Sequence, residues 1–408
     1  MTVPRLRTTP ILGALASFLT TEASGGVILL MAAAAALIWA NSPAASTYEV
    51  LWQTVLTIDV GGTALISMDL RHWINDALMA LFFFVVGLEI KRELVSGELA
   101  EPRKATVPVV AAFGGMALPA LIYVALNAGT EGVRGWGVPM ATDIAFAIGV
   151  LALFGSRVPH GLKILLLSVA IVDDIGAILV IAVFYSGEVQ LLSVAVAVAL
   201  LIATIALWRV PRLWAAPPLA LLMVAVWLAT LSSGVHATIA GVALGLVVPA
   251  SAGSPSPAVR LEKAFHPWTS YVIVPIFALA NSGVRVDAGV LGEALGSSVA
   301  IGIAAGLVVG KVVGVTLATY LAVRTGLGRL PRGVTWPAVV AVAAVAGIGF
   351  TVSLFIAGLA FDGQLLSESK LGILGGSVVA AIIGSVLLWR TLPPARTGAV
   401  APDTVEST

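Results

Sequence analysis

Two adjacent aspartates, Asp173 and Asp174, lie inside an apolar run, AIVDDIGAI. Asp143 sits in a second such run, GVPMATDIAFAIG, and Lys311 stands mid-way along a third. A charge at the centre of a membrane helix costs about 2.5 to 3.5 kcal/mol on insertion scales unless it is paired or hydrated, so each is a candidate functional group. Successive helical residues diverge by roughly 100°, which lets one carboxylate face a cation and the other a partner around one hydrated cavity. Two close carboxylates cannot both ionise cheaply unless a cation occupies the site, so a proton and Na+ compete for one place. Hard carboxylate oxygens suit such a cation. The plain alternative is a structural salt bridge to Lys311. For Asp173 the two readings coexist, with Lys311 holding it when sodium is absent.

Around Asp143, Gly137, Pro139 and Gly149 interrupt the apolar run, as in a broken transmembrane helix. A companion, AGIGFTVSLFIAG, is equally Gly-rich, and Thr142, Phe146 and Gly149 repeat the spacing of Thr351, Phe355 and Gly358. Paired interrupted segments in two halves point to an inverted repeat with its site at the crossing. Broken helices leave partial charges at mid-membrane. Asp143 would then neutralise the facing N-terminal ends, or bind the ion directly, and Lys311 would neutralise the C-terminal ends. Asp76, nearer the interface, caps its helix or accepts from Asn75 or a neighbouring amide. His236, in SGVHATIAG, reads as a satisfied packing residue.

The elements that carry these residues are membrane helices. The chain has 408 residues, 59% hydrophobic and only 11% charged, against about 25% charged in soluble domains. Apolar stretches long enough to cross a hydrocarbon core of ~30 Å recur throughout. Cys is absent and the four His are scattered, which excludes disulfides and thiolate metal sites. The basic start lacks a short apolar core with a cleavage site, so the first apolar segment is a helix and not a signal peptide. No GxxxxGK[ST] nucleotide motif is present. A net charge of +1 suggests no nucleic-acid partner.

Charged and Pro/Gly-rich breaks delimit twelve spans: 25–40, 74–94, 105–126, 136–155, 162–185, 191–208, 217–231, 235–250, 267–280, 298–321, 337–360 and 372–389. Alternate loops then place 17 of the 22 basic residues on one side, leaving Arg71, Arg134, Arg285 and Lys370 opposite and Lys311 within a span. The basic side, with both termini, is cytoplasmic by the positive-inside rule. The Ser/Pro-rich stretch 251–263 reads as a cytoplasmic linker. Outside, TVLTIDVGGTAL and the residues after it (54–67) alternate β-formers around Gly61-Gly62, a hairpin signal. A lone hairpin leaves free edges, so pairing with a second protomer follows as an expectation.

Taken together, LFFFVVGLEIKRE (81–93), ATDIAFAIGVLALFGSRVP (141–159), AIVDDIGAI (170–178), SGVHATIAG (233–241), LEKAFHPW (261–268) and GIGFTVSLFIA (347–357) resemble the bacterial NhaA-type Na+/H+ antiporters, over residues 22 to 390. This family is itself a reference case of the inverted repeat. The resemblance implies an all-α protein of twelve transmembrane helices, with repeats in spans 3–5 and 10–12 and with helices 4 and 11 broken mid-membrane. It is one antiporter domain over 1–408, with a core at 105–185 and 298–389 and a dimer or panel part at 25–94 and 191–280, most simply a homodimer in the inner membrane.

The resemblance also implies electrogenic exchange of Na+ or Li+ for a larger number of protons, rising at alkaline pH, with no cofactor. Asp174 looks like the principal cation and proton carboxylate, Asp173 its partner, and Lys311 the lysine that bonds Asp173 between sodium-bound states. Thr142 and Asp143 match the crossing of the fourth span, and Gly347, Gly349 and Thr351 that of the eleventh. Glu89, Arg92, Glu93, Glu262 and His266 match a cytoplasmic funnel associated with pH sensing, where the plain reading is a solvated charged face. Beside Glu262, familiar members can carry a His where this chain has Lys263, which does not titrate near neutrality.

Rival classes fit less well. An intramembrane aspartyl protease lacks its GxGD signature here, and a prenyl-transferring enzyme would need a third acid after Asp173-Asp174. A sodium channel needs neither a titrating pair nor Lys311. Another monovalent cation/H+ exchanger remains the nearest alternative.

Overall fold

The computed structural model describes residues 10–210, 217–251 and 256–393. Arg5, Arg7, Arg212, Arg396, both chain ends and residues 252–255 of the expected linker lie outside the described residues.

Helices dominate, because hydrocarbon offers backbone N–H and C=O groups no partner except one another. The chain opens with α1 (Pro10–Ala40) and α2 (Ala45–Trp52). A hairpin of β1 (Val55–Val60) and β2 (Thr63–Asp69) follows, then α3 (Leu70–Trp73), a π turn (Ile74–Leu78) and α4 (Met79–Ser96). Next come α5 (Pro102–Asn127), a 3-10 segment (Glu131–Met140), α6 (Ile144–Ala152), α7 (His160–Phe184), α8 (Leu191–Trp208), α9 (Pro217–Leu231) and α10 (Thr238–Val247). The helix α11 (Pro257–Trp268) runs through a π turn (Thr269–Ile273) into α12 (Val274–Asn281), and the short α13 (Ala288–Gly296) precedes α14 (Ser298–Ala305). A third π turn (Gly306–Gly310) leads into α15 (Lys311–Arg324), and α16 (Trp336–Val345), α17 (Phe350–Ala360) and α18 (Gly363–Thr391) complete the described chain.

Six of these stretches are long and apolar enough to cross a membrane, and up to nine are if each of three bent pairs is one span. The protein is a multi-pass membrane protein. The bends are 115° between α1 and α2, 43° between the 3-10 segment and α6, and 46° between α16 and α17. The first falls at Asn41-Ser42-Pro43, where Pro43 has no amide to donate. Helices α2 and α13 lie where the sequence reading expected loops. The ninth span continues a helix that begins ten residues earlier, at Pro257, because its charged first turns hide it from an apolar count.

Helices approach closely where glycine allows it. A Cβ on Gly241 of α10 would lie 2.0 Å from Ala80 O of α4, and one on Gly314 of α15 2.2 Å from Gly114 O of α5.

The hairpin forms as expected and extends two residues further, pairing Val55 with Asp69 and Val60 with Thr63. Gly61 and Gly62 take φ of +65° and +83°, as a two-residue type I′ turn requires. Asp69 ends β2 by accepting from His72 N at 2.8 Å, so the capping expected of Asp76 falls to Asp69. Asp76 itself lies in the π turn beyond the cap, and Asn75 pairs with Asn281 at 2.9 Å.

Candidate functional site

The two broken pairs meet at their breaks. Between the 3-10 segment and α6 the chain is extended at Ala141, Thr142 and Asp143, and between α16 and α17 it leaves the helix at Ala346 to Gly349. Asp143 N donates to Ile348 O at 2.6 Å, Thr142 Oγ1 lies 2.8 Å from Ala346 O, and Ser353 Oγ donates to Val138 O at 2.8 Å. These bonds satisfy backbone groups that the breaks release where no lipid can serve them. Gly347 lets this break pack on the π turn Gly306–Gly310, since a Cβ there would lie 2.3 Å from Leu307 O.

Thr142 and Thr351 both bond across the crossing, but the repeated Thr, Phe and Gly spacing does not line up with the helix starts. Helix α6 starts at Ile144 and α17 at Phe350, so Thr142 precedes its helix whereas Thr351 is the second residue of its own. Added Cβ atoms on Gly149 and Gly358 would meet nothing within 4 Å. Relative to the helix starts, the matched residues are three positions out of register.

Asp143 caps both half-helices. Its Oδ1 accepts from Phe146 N at 3.1 Å, in its own helix, and its Oδ2 accepts from Thr351 N at 3.0 Å and Thr351 Oγ1 at 2.5 Å. Both oxygens therefore hold helix N-termini, where a negative charge is favoured. Lys311 has the other role proposed for it instead of facing helix C-termini: its Nζ donates to Asp173 Oδ2, and the Ala346 carbonyl that ends α16 is met by Thr142. Both Lys311 and Asp173 are 0% exposed, so each charge depends on the other.

Asp173 Oδ2 also accepts from Thr142 Oγ1 at 2.7 Å, while its Oδ1 is buried with no hydrogen bond. A carboxylate oxygen kept dry and without a donor is a position suited to a cation or a proton. Asp174 points elsewhere. It lines a cavity of about 50 Å³ together with Thr142, Asp143, Thr351, Glu89 and His266, with room for a few waters. Five of the residues singled out in the sequence thus converge with Asp174 on one cavity, and Asp173 and Lys311 lie behind it through Thr142.

The charged residues of the expected funnel also assemble. Arg92 bonds Glu262 and reaches Glu93 at 3.2 Å, and His266 Nε2 lies 3.9 Å from Glu89 Oε1. Burial pushes the Glu262 carboxyl up, against the lowering pull of Arg92 and His266. Lys263 is exposed on the other face of α11. Elsewhere His236 Nε2 bonds Tyr185 O at 2.5 Å, the satisfied packing residue expected.

The sequence reading missed Ser353 and Ser377. Ser377 Oγ accepts from Gly349 N and Phe350 N, both at 3.3 Å. A serine in an apolar helix gives no spacing signal of such a contact.

Residues 16–388 match the family described as Na+/H+ antiporter 1. The chain is 51% identical over 376 residues to the Na(+)/H(+) antiporter NhaA of Rhizorhabdus wittichii, covering 91% of this chain and 96% of that protein. It is 48% identical over 386 residues to the protein of that name from Escherichia coli O6:K15:H31, covering 93% and 99%. To Na(+)/H(+) antiporter NhaA 2 of Sorangium cellulosum it is 44% identical over 445 aligned positions, covering 97% and 94%.

Proposed function

The chain belongs to the Na+/H+ antiporter 1 family, a family of secondary transporters and not of enzymes, and on that premise we propose that it expels Na+ or Li+ in electrogenic exchange for protons, with activity rising at alkaline pH. The observation that carries this reading is the pair itself: Asp173 is held by Lys311 with one oxygen left undonated, next to Asp174 at a cavity with room for water. Asp174 is the principal carrier. Facing the cytoplasm, it releases its proton and takes Na+, and Asp173 leaves Lys311 to join the ion. The core, spans 3–5 and 10–12 of twelve, then moves against the panel part, and protons displace sodium on the other side. Thr142 and Asp143 keep the crossing intact during that movement, together with Gly347, Gly349 and Thr351.

The transported ions are the only small ligands this reading requires. With more protons entering than sodium leaving, the membrane potential contributes about 2.3 kcal/mol per net charge at 100 mV. The network of Glu89, Arg92, Glu93, Glu262 and His266 sets the pH response. The protein works as a homodimer in the bacterial inner membrane, joined through the hairpin, with both termini cytoplasmic. This topology follows the basic residues of alternate loops.

Everted membrane vesicles test the exchange. Sodium added outside acidified vesicles should dissipate the pH gradient, and Asp174→Asn should abolish that response. Sodium entry without proton movement would instead indicate a channel, and wild-type exchange in Asp174→Asn would remove Asp174 as the carrier.

A further inference from the structure

Helix α17 begins inside the protein, and its first amides need acceptors from outside the helix. Its N-cap is Gly349, which has no side chain to offer. Nothing larger fits there, since a Cβ would lie 2.2 Å from Ser353 Oγ, 2.8 Å from Leu307 Cδ2 and 3.1 Å from Ala141 O. The other half-helix has no such difficulty, because α6 is capped by its own Asp143. Helix α17 must be capped from elsewhere.

Two elements supply that cap. Asp143 Oδ2 takes Thr351 N, and Ser377 Oγ, on α18, takes Gly349 N and Phe350 N. Ser377 is 5% exposed, so the amides it serves have no water to turn to. We propose that Ser377 is a positioning residue of the ion site: its hydroxyl supplies the cap that Gly349 cannot, and thereby fixes the turn of α17 from which Thr351 meets Asp143.

Short links connect this cap to the carboxylates. Phe350 is followed by Thr351, which binds Asp143 through both its amide and its hydroxyl. Asp143 adjoins Thr142, whose hydroxyl lies on Asp173. Without Ser377, two amides at the start of α17 must seek another acceptor, and the nearby carboxylate of Asp143 is already shared between two helices. A shift of that carboxylate moves the wall of the Asp174 cavity, which Asp143 and Thr351 both line. Ion affinity should suffer first, and turnover less.

The proposal rests on the exchange reading, and the test separates the two. Full-length protein is reconstituted in proteoliposomes, normalised to folded material by size-exclusion chromatography, and Na+-driven proton flux is measured against Na+ concentration. Ser377→Ala should raise KM for Na+ roughly tenfold with kcat within about twofold. Ser377→Thr, which keeps the hydroxyl, should stay within about twofold of wild type in both. Ser369→Ala removes a hydroxyl on the same helix that donates to Leu366 O at 2.7 Å, and should behave as wild type. If Ser377→Ala does not fold, Ser377→Cys, which keeps the shape and weakens the acceptor, is read in its place. An unchanged KM, or a fall in kcat alone, overturns the positioning role. So does failure of both variants to fold while Ser377→Thr folds, which would make the cap purely structural. Absence of exchange in wild type would overturn the transport reading instead.

Discussion

Thr142 Oγ1 lies 2.7 Å from Asp173 Oδ2, and the same hydroxyl lies 2.8 Å from the carbonyl oxygen of Ala346. A hydroxyl has one hydrogen to give. With Asp173 ionised, that hydrogen serves the carboxylate and leaves the end of α16 short of a donor. With Asp173 protonated, the acid donates to Thr142 and the threonine hydrogen passes to Ala346. Thr142 thus links the charge of Asp173 to the break between α16 and α17. Thr142→Val removes both bonds and should lower kcat/KM for Na+ roughly ten- to hundredfold, whereas Thr142→Ser should stay within a few-fold. Proton flux in proteoliposomes measures both, and equal activity in the valine variant would dismiss the link.

The Asp173 and Lys311 pair makes a stability prediction that transport assays do not depend on. Removing one member of a buried ion pair strands the other charge, at a cost of about 3 to 5 kcal/mol, while replacing both with neutral groups is often close to neutral. Lys311→Met should therefore melt well below wild type, and Asp173→Asn with Lys311→Met should recover most of the loss. Thermal melts of purified protein in detergent form the cycle. Additive losses in the double variant would mean that the two side chains do not depend on each other.

These relationships were unequally legible in the sequence. A charge in an apolar run stands out by its cost, so Asp143, Asp173, Asp174 and Lys311 could be selected without any structure. The hairpin was legible because Gly61-Gly62 has few alternatives between alternating β-formers. The partners of those charges were not. Which acceptor Lys311 reaches depends on how α15 packs on α5 and α7, and Ser353 and Ser377 act through hydroxyls that any apolar helix tolerates. Helix starts are hidden where charge masks them, as at Pro257, and the Thr, Phe and Gly match does not reveal where α6 and α17 begin, because the two segments enter their helices three residues out of register. The resemblance draws attention to Lys263 beside Glu262, but adjacent helical residues point about 100° apart, and of the two Glu262 is buried and Lys263 exposed.

That difference separates two residues in the pH response. Burial raises the Glu262 carboxyl above its ordinary range, so its ionisation opposes folding. A folded-state value above the unfolded one gives stability that is present at acid pH and is lost as pH rises through the raised range. Glu262→Gln should lose that decline: as pH rises from the ordinary carboxylate range, its melting temperature should vary less than that of wild type. The exchange profile should shift as well, because the charge facing Arg92 is gone. Lys263→His should leave both curves close to wild type. A changed profile in Lys263→His with an unchanged one in Glu262→Gln would reverse the assignment.

Glycines at the crossing predict a contrast within one short segment. A methyl at Gly347 would press on Leu307 O, a backbone atom in the π turn that leads into Lys311. Gly347→Ala should cost about 1 to 3 kcal/mol by overpacking and impair exchange by displacing the π turn before Lys311. Gly358→Ala meets open space and, inside α17, should be neutral or stabilising by about 0.5 to 1 kcal/mol. Melting temperature and vesicle exchange for the two variants decide it, and tolerance of alanine at Gly347 would show that the π turn before Lys311 can give way without loss.

The hairpin offers the last test, of assembly. Leu56 and Ile58 on β1 are 49% and 41% exposed, and a two-stranded ribbon with free edges is marginal alone. Among the described residues, those that line the cavity lie on α1, α4, α6, α7, α11, α12 and α17 with their flanking turns, and none belongs to the hairpin. Replacing residues 54–67 with a short flexible linker should therefore shift the purified protein from dimer to monomer in detergent at low concentration, while exchange per folded chain in vesicles stays near wild type. Size-exclusion with light scattering reads the first and proton flux the second. A dimer of undiminished stability would place the contact between protomers elsewhere, and lost exchange in a folded monomer would mean that the dimer itself is needed for transport.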